Sequence, residues 1–259
     1  MAFAPDPDVE VPRRAATAFD RPSPIHARAA AKPLASLSAV LPARDEEGNI
    51  DAAVREVWRE VERFAAVAEI IVVDDGSTDR TAARVEDLVA EIPALRLVRH
   101  PVSRGYGAAL RSGFAAARGE WLFFTDADRQ FDLAELGRLV GLASEHDVVA
   151  GFRANRGDPL HRRVMASAWN RLIATALGVR MRDVNCAFKL LRADLVRRLE
   201  LTSDGPAFGA ELALALEREG VRIAQVPVAH RPRAWGRQSG GSPAVVLRGL
   251  IELRRLRLG

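Results

Sequence analysis

The chain has little of what covalent cross-links and multi-cysteine metal sites require. Its 259 residues include a single cysteine, Cys186, which excludes an intramolecular disulfide and a zinc site built on several cysteines. No apolar run approaches the roughly 18 residues that span a bilayer. The first residues, MAFAPDPDVEVPRRAA, lack the apolar stretch of a secretory signal. We therefore expect a cytoplasmic protein, with peripheral contact at the cytoplasmic face of a membrane as an open alternative.

The charges are distributed unevenly along the chain. Residues 1–150 hold 18 basic and 25 acidic residues, whereas residues 151–259 hold 20 basic and 9 acidic residues. An acidic half followed by a basic half predicts two ligand regions, one for a cation and one for phosphates or a membrane. The alternative is that the arginines simply cover solvated surfaces. Acidic strand ends argue against a nucleic acid as partner.

Hydrophobic patterning divides the chain into three parts. Residues 1–34 are rich in proline and charge, which predicts a flexible leader. From residue 35 to 240, short apolar runs alternate with amphipathic stretches, which predicts one α/β domain with a mostly parallel sheet flanked by helices. Residues 241–259 predict a basic amphipathic helix. The predicted strands are Leu37–Leu41, Ile70–Val73, Leu95–Val98, Trp121–Thr125, Val148–Gly151 and Ile223–Val226.

Acidic residues follow two of the predicted strands directly. Asp74 and Asp75 follow the second strand, and Asp126 and Asp128 follow the fourth. Ligands of an open parallel sheet bind at the carboxyl ends of its strands, so these carboxylates are candidates for ligand contacts. Paired carboxylates without histidine or cysteine suit Mg²⁺ or Mn²⁺. The alternative for the second pair is a solvated turn with helix-capping acids.

Several common nucleotide and hydrolase motifs are missing. The glycine-rich segment 103–109 has Leu110 where a dinucleotide-binding fingerprint needs its third glycine, which disfavours a dehydrogenase. The chain contains neither a GxxxxGK[ST] phosphate loop nor a Gly-x-Ser-x-Gly nucleophile elbow.

The motifs that are present, taken in order, resemble those of family 2 glycosyltransferases of the GT-A fold. The similarity is strongest to the dolichol- or polyprenyl-phosphate mannose and glucose synthases, and it covers about residues 37–240. It implies a Rossmann-like, mostly parallel sheet. The segments that carry it are PARDEEGNI (42–50), VVDDGSTD (72–79), RGYGAALRSGF (104–114), FTDADRQFD (124–132), GFRANRGDP (151–159), RDVNCAFKLLRADL (182–195) and VPVAHRPRAWGRQS (226–239).

The resemblance implies a donor nucleotide site and a metal site. Asp126, Asp128 and Gln130 match the positions that hold Mg²⁺ or Mn²⁺ against the diphosphate. Two positions depart from the family pattern: Asp45 stands where Asn is usual, and Arg129 where Gly or Leu is commoner. The implied donor-nucleotide residues are Pro42, Glu46, Asp74, Asp75, Arg104, Gly105 and Asp126.

The resemblance also implies the reaction, which is direct displacement with inversion, from a GDP-mannose- or UDP-glucose-type donor to a polyprenyl or dolichyl phosphate. The implied catalytic residues are Asp128, Arg153, Asp183 and Arg233. The implied acceptor-phosphate residues are Arg153, Lys189, Arg233 and Ser239. Glu211 matches a motif acid for which a bracing role by hydrogen bonds is an equal alternative.

Three functional alternatives remain at this point. A phosphate acceptor is already anionic and needs only positioning and neutralisation, which the arginines of the second half favour. A hydroxyl acceptor on a glycan or small molecule needs a base, for which Asp183 is the best candidate. A non-catalytic nucleotide-sugar or membrane-binding protein is the remote alternative. Residues 245–259 predict either peripheral membrane contact or an ordinary packed helix. Trp235 is predicted to be a packing residue, with a mobile lid over the acceptor, next to the flexible segment QSGGSP (238–243), as the alternative.

Overall fold

A mixed β-sheet organises the chain. The structure, a computed structural model, describes residues 34–156, 160–233, 235–236 and 243–258. The predicted leader therefore lies, except for Leu34, outside the described residues. The strands are β1 (Leu34–Ala43), β2 (Ala65–Asp75), β3 (Leu95–His100), β4 (Trp121–Thr125), β5 (Val148–Arg156), β6 (Phe188–Arg192) and β7 (Ile223–His230).

Helices connect these strands and cover the sheet. They are α1 (Ile50–Phe64), α2 (Thr81–Glu91), α3 (Tyr106–Ala116), α4 (Leu136–Val140), α5 (Leu160–Leu177), α6 (Ala193–Arg198), α7 (Phe208–Arg218) and α8 (Pro243–Leu258). A 3₁₀ turn, Leu133–Glu135, precedes α4. In α1 the buried side chains Ile50, Val54, Val57 and Val61 recur at helical spacing, so one face of this helix packs into the core.

The strand order is β3-β2-β1-β4-β6-β5-β7. Strands β1 to β4 are parallel to their neighbours in this group, β5 is parallel to β7, and β6 runs antiparallel to both β4 and β5. This α/β architecture confirms the predicted fold class. Strand β6 is absent from the sequence prediction, because Lys189 interrupts its apolar run and hides the strand pattern.

The antiparallel strand β6 brings a further segment of the chain to the edge of the sheet where β4 ends. Parallel strands β1, β2 and β4 all end at one edge of the sheet. Thr125 at the end of β4 pairs with Phe188 at the start of β6. Because β6 runs the opposite way, the residues that precede Phe188 reach the same edge as those that follow Thr125. The segment around Asp183 thereby approaches Asp126.

The C-terminal helix α8 packs on the domain through part of its surface. Leu253 is buried, and a Cβ atom added at Gly249 would meet the Trp169 ring of α5 at 3.0 Å. The Glu252 carboxylate accepts a hydrogen bond from the Ala207 amide at 3.1 Å. Among the described helices, none combines the length and the apolar character that crossing a membrane requires.

Candidate active site

Two carboxylates at the end of β4 form the centre of the site. Asp128 is buried and accepts a hydrogen bond from the Gln130 amide at 3.1 Å, while Asp126 accepts one from the Tyr106 hydroxyl at 3.1 Å. Loss of hydration, followed by the charge of Asp128, raises the pKa of Asp126 to about 7. Burial also raises the pKa of Asp128. Because the pKa values of both carboxyl groups are raised, a cation bound between them would stabilise their ionised forms.

The donor set fits a hard divalent ion that takes its other ligands from a bound diphosphate and water. In the part of the chain that the structure describes, no group of three or more His, Cys, Asp or Glu side chains is arranged to hold a metal. Two carboxylates alone therefore suit a metal that arrives with a phosphorylated ligand. Gln130 is buried beside them and donates its amide nitrogen to the Arg231 carbonyl at 2.9 Å. Its role as a metal ligand stays a prediction.

Glu46 and Arg233 close the site from the opposite side. The Glu46 amide donates to the Thr81 hydroxyl at 2.8 Å, which fixes the start of α1 beside α2. The Glu46 carboxylate accepts hydrogen bonds from Asn49 at 2.7 Å and from the Arg233 guanidinium. A second nitrogen of Arg233 lies 3.7 Å from an Asp128 carboxylate oxygen. A residue predicted for the donor and one predicted for the acceptor thus meet beside Asp128.

Both departures from the family pattern fall on left-handed backbone. Asp45 has φ 52° and Arg129 has φ 59°. Asp and Asn tolerate this region better than other side chains, which accounts for Asp in place of Asn. The Asp45 carboxylate accepts hydrogen bonds from the Thr78 amide and hydroxyl at 2.7 and 3.1 Å. The Arg129 guanidinium pairs with Glu56 of α1.

Asp75 shapes the loop that carries Arg104 and Gly105. Its two oxygens accept four hydrogen bonds, from His100 (2.7 Å), the Ser103 hydroxyl (2.7 Å) and the amides of Arg104 (2.8 Å) and Gly105 (2.9 Å). Burial alone would raise the pKa of Asp75, but these bonds, led by that of His100, hold it below its ordinary value. A carboxylate can accept about four hydrogen bonds, so all acceptor positions of Asp75 are used to hold the loop in place.

Gly105 is required where it stands. Its φ is +107°, and a Cβ atom there would lie 2.3 Å from the Asp204 carbonyl oxygen. Asp74 is buried, accepts a hydrogen bond from the Ser77 amide at 3.2 Å, and lies 3.8 Å from Arg99. Pro42 is buried in β1 and pairs in register with Val73 of β2. The donor-contact roles of these residues stay predictions.

Arg153 and Asp183 form a buried, two-point ion pair. Nε of Arg153 lies 2.7 Å from one carboxylate oxygen and a terminal nitrogen lies 2.8 Å from the other. Burial alone would lower the pKa of Arg153, but the hydrogen bonds and charge of Asp183 raise it above the usual range. An Asp held in this way is poorly placed to accept a further proton. The structure therefore couples two residues that the sequence predicts for catalysis.

Lys189 lies below this pair, within the sheet. Its buried ammonium donates hydrogen bonds to the carbonyls of Val184 (3.1 Å) and Cys186, and lies 5.5 Å from the centre of the Phe124 ring. These contacts hold the turn that leads into β6, and the predicted contact with an acceptor phosphate stays a prediction. Burial raises the pKa of Cys186 to about 12, in keeping with a packing role. Ser239 lies outside the described residues.

Four residues at the site were not selected from the sequence. Tyr106 contacts Asp126, Asn49 contacts Glu46, and His100 contacts Asp75. Trp235, predicted to be a packing residue, accepts a hydrogen bond from Arg233 through its carbonyl at 2.7 Å. Of these four, Tyr106 could have been selected from the sequence, because it is the single tyrosine of the chain and stands at the start of a glycine-rich helix.

Glu211 braces the turn after α6. Its carboxylate accepts hydrogen bonds from the amide and hydroxyl of Thr202, both at 2.8 Å, and from the Ser203 amide at 2.8 Å. Of the two alternatives for this residue, these contacts favour bracing. This turn also contacts the start of α3, because the Gly107 amide donates a hydrogen bond to the Asp204 carbonyl at 2.9 Å.

Comparison with solved structures finds the same architecture in nucleotide-sugar enzymes. Glucosyl-3-phosphoglycerate synthase from Mycobacterium tuberculosis, in complex with Mn²⁺ and UDP-glucose, is 27% identical with a TM-score of 0.62, covering 84% of this chain and 78% of that one. A mannosyltransferase from Pyrobaculum calidifontis, in complex with GDP-Man and Mn²⁺, is 21% identical with a TM-score of 0.60. The second alignment covers 85% of this chain and 64% of that one, and shows the fold alone.

Sequence comparison gives the family. Two similar relatives are undecaprenyl-phosphate 4-deoxy-4-formamido-L-arabinose transferases, from Aeromonas hydrophila (30% identical over 208 residues, 79% of this chain) and from an Enterobacter species (32% over 203 residues, 77%). The aligned regions span 63% and 61% of those relatives, so part of each has no counterpart in the alignment. The profile described as Glycosyl transferase family 2 matches residues 38–199. The chain belongs to glycosyltransferase family 2, and its architecture is that of the GT-A fold.

Proposed function

We propose that this glycosyltransferase moves a hexose from a nucleoside diphosphate sugar to a polyprenyl phosphate, with a divalent metal and with inversion at the sugar carbon. The observation that carries the proposal is the two-point pairing of Asp183 with Arg153 beside the metal carboxylates. This pair engages the carboxylate that a hydroxyl acceptor would need as base. A phosphate acceptor needs no base, because its oxygen is already anionic at neutral pH.

The proposed metal site consists of the two carboxylates at the end of β4. Asp126 and Asp128 would hold Mg²⁺ or Mn²⁺, and the solved relatives contain Mn²⁺ beside their nucleotide sugars. A bound divalent ion stabilises the negative charge that develops on the leaving nucleoside diphosphate. The Tyr106 hydroxyl, at 3.1 Å from Asp126, orients that carboxylate. Asp75 holds the loop with Arg104 at the nucleotide side of the site.

The arginines place the acceptor. Arg153 and Arg233 lie at the same sheet edge as the metal carboxylates, and each side chain is largely buried. Guanidinium groups bind phosphate oxygens in two-point contacts, which fixes the attacking oxygen as well as neutralising it. Reaction then depends on position and charge, the two contributions that these residues supply.

The first test is product formation. Purified protein receives Mg²⁺ or Mn²⁺, a pool of UDP- and GDP-sugars, and a short polyprenyl phosphate, and products are identified by mass spectrometry. We expect a glycosyl phospholipid that forms only with metal and that Asp128→Asn does not form. Proton NMR of the product then gives the anomeric configuration, and a retained configuration would contradict inversion. The identity of the consumed donor also names the sugar and the base.

A hydroxyl acceptor is the second candidate. Its support is the likeness to glucosyl-3-phosphoglycerate synthase from M. tuberculosis, which was crystallised with phosphoglyceric acid (26% identical, TM-score 0.65). The same assay therefore includes 3-phosphoglycerate as a competing acceptor. Glycosylation of phosphoglycerate without any lipid product would overturn the polyprenyl phosphate proposal and make Asp183 the residue to test as base.

The lipid acceptor calls for a membrane contact, and we place it on α8 and α5. Leu247, Leu250 and Ile251 of α8 are exposed, as are Val164 and Met165 of α5. The contact between Gly249 and Trp169 joins the two helices. Exposed Arg254 and Arg255 add positive charge to this face. An apolar face with arginines suits the interface of an anionic membrane.

A further inference from the structure

The residues that follow β7 cross the loop of the metal carboxylates. The Arg231 amide donates to the Gln130 carbonyl at 2.7 Å, and the Gln130 side chain donates back to the Arg231 carbonyl at 2.9 Å. Two residues further, the Arg233 side chain enters the site and is only 15% exposed. This pairing brings Arg233 to the carboxylates.

Arg233 takes the place of a cation there. Its guanidinium pairs with Glu46 and lies 3.7 Å from Asp128, so one positive charge faces two carboxylates from different loops. Asp126 adds a third carboxylate close by. Like charges repel strongly where water is scarce, and the nearest cation relieves that repulsion. Arg153 is already engaged with Asp183, which leaves Arg233 as the counter-charge of Asp128.

Trp235 and Gly48 hold the guanidinium in this position. The Trp235 carbonyl accepts hydrogen bonds from Nε of Arg233 at 2.7 Å and from Asn49 at 3.4 Å. The indole rests on the backbone of Gly48, where an added Cβ atom would lie 2.5 Å from the ring. A side chain at position 48 would therefore have to displace the indole. Trp235 therefore links the start of α1 to Arg233, with its indole against Gly48 and its carbonyl on the guanidinium.

We propose that Arg233, clamped by Trp235 on Gly48, occupies the cation position of the metal-free enzyme and competes with the divalent metal for Asp128. The proposal rests on the metal site of the proposed function. Asp128 cannot give its full charge to both cations, so its engagement by a metal weakens its contact with the guanidinium, which keeps its pairing with Glu46.

Electron paramagnetic resonance of free Mn²⁺ measures this competition directly, without turnover. The full chain is titrated with Mn²⁺ in the absence of nucleotide. We expect Arg233→Gln to bind Mn²⁺ about tenfold more tightly than the wild type. Gly48→Ala removes no charge and only displaces the indole, so a several-fold tightening there assigns the effect to the clamp. Arg231→Gln, which breaks the exposed ion pair with Asp132 on the same segment, is the matched control and should bind as the wild type does.

Trp235 acts through Arg233, so a conservative variant separates positioning from folding. Trp235→Phe keeps a ring for Gly48 and should retain wild-type Mn²⁺ affinity, whereas Trp235→Ala should tighten it several-fold. Circular dichroism of each variant reports whether it is folded. A merely structural role for the indole predicts that Trp235→Ala weakens Mn²⁺ binding together with stability, and that result would overturn the clamp.

The titration also separates this inference from the metal site beneath it. Equal Mn²⁺ affinity in the wild type and Arg233→Gln overturns the competition and leaves the metal site standing. If no variant binds Mn²⁺ even with UDP or GDP added, the metal site itself is wrong and the competition falls with it. Tighter binding in Arg233→Gln and Gly48→Ala, with Arg231→Gln unchanged, supports the proposal.

Discussion

Arg129 shows how a single backbone angle accounts for a departure from the family pattern. A non-glycine residue in the left-handed region costs about 1–2 kcal/mol. The partly exposed ion pair between Arg129 and Glu56 stabilises the folded state by about 0.2–1 kcal/mol. We therefore expect Arg129→Gly to leave the free energy of unfolding unchanged or to raise it by up to about 2 kcal/mol.

Urea denaturation checks this prediction against a second arginine. Arg55, in the interior of α1, also pairs with a glutamate, Glu91, at 2.6 Å, but its backbone is helical. Arg55→Gly should lower the free energy of unfolding by about 1 kcal/mol, the usual cost of glycine within a helix. Equal losses in the two variants would show that the angle at Arg129 carries no strain.

The raised pKa of Asp126 predicts how metal binding depends on pH. A metal binds the ionised carboxylate, so protonation competes with it below about pH 7. Calorimetric titration with Mn²⁺ should show an affinity that is level above pH 8 and falls by up to tenfold per pH unit below pH 7. Asp126→Asn should lose most of the affinity and the pH dependence with it.

The raised pKa of Asp126 has the opposite effect on the stability of the protein without metal, which it lowers as the pH rises. The folded protein holds a proton on Asp126 up to about pH 7, whereas an unfolded chain releases it near the ordinary value of 3.8. The folded state therefore binds more protons between these values, and this residue's contribution to stability falls as the pH rises from 4 to 7. A melting temperature that rises with pH for the wild type but not for Asp126→Asn would contradict this sign.

At the scale of elements, the sequence predicted the parts whose patterns are local. The apolar runs of β1 and β4 and the acids that follow β4 are read directly from neighbouring residues. Strand β6 was missed because burial of Lys189 depends on carbonyls of the turn before it. The ion pair between Asp183 and Arg153 could not be predicted from the sequence either, since it depends on the register of β6 between β4 and β5. Long-range pairing, and the contacts that depend on it, leave little local signal.

The loop between β3 and α3 is an element whose shape depends on Asp75. Asp75→Asn replaces an acceptor by an amide that faces the N–H groups of Arg104 and Gly105, so one of these loses its partner. We expect the KM for the nucleotide sugar to rise about tenfold while Mn²⁺ affinity stays unchanged. Steady-state kinetics with varied donor measures the change.

The control for Asp75 lies on the same strand. Glu69, toward the other end of β2, also accepts several hydrogen bonds, from Ser38, Arg96 and the Arg118 amide. Glu69→Gln should cost a similar amount of stability and leave the donor KM unchanged. A rise in donor KM in both variants would mean that β2 as a whole, not the loop, supports the nucleotide.

At the scale of the whole molecule, α8 and α5 expose several large apolar side chains, while Asp126 and Asp128 lie at the sheet edge. Leu247 of α8 is 60% exposed, although the same helix buries Leu253. An open groove of about 470 Å³ lies between α8 and the turn at residues 202–204, with Arg255 and Ile251 among its lining residues. Since that turn contacts the start of α3 through Asp204, α8 lies two contacts from the loop of Arg104 and Gly105.

Leu247→Glu tests whether this face meets a membrane without removing the helix. Each large apolar side chain that enters the interface contributes about 1.5–3 kcal/mol, so an added negative charge there should lower binding to anionic vesicles more than tenfold. Val67 is exposed to a similar degree, at 66%, near the start of β2, and Val67→Glu adds the same charge elsewhere. Co-sedimentation with vesicles rich in phosphatidylglycerol should therefore drop for Leu247→Glu and stay level for Val67→Glu. Equal loss in both would show that net charge alone governs attachment, and no loss in either would leave α8 as a helix whose apolar face serves something other than a membrane.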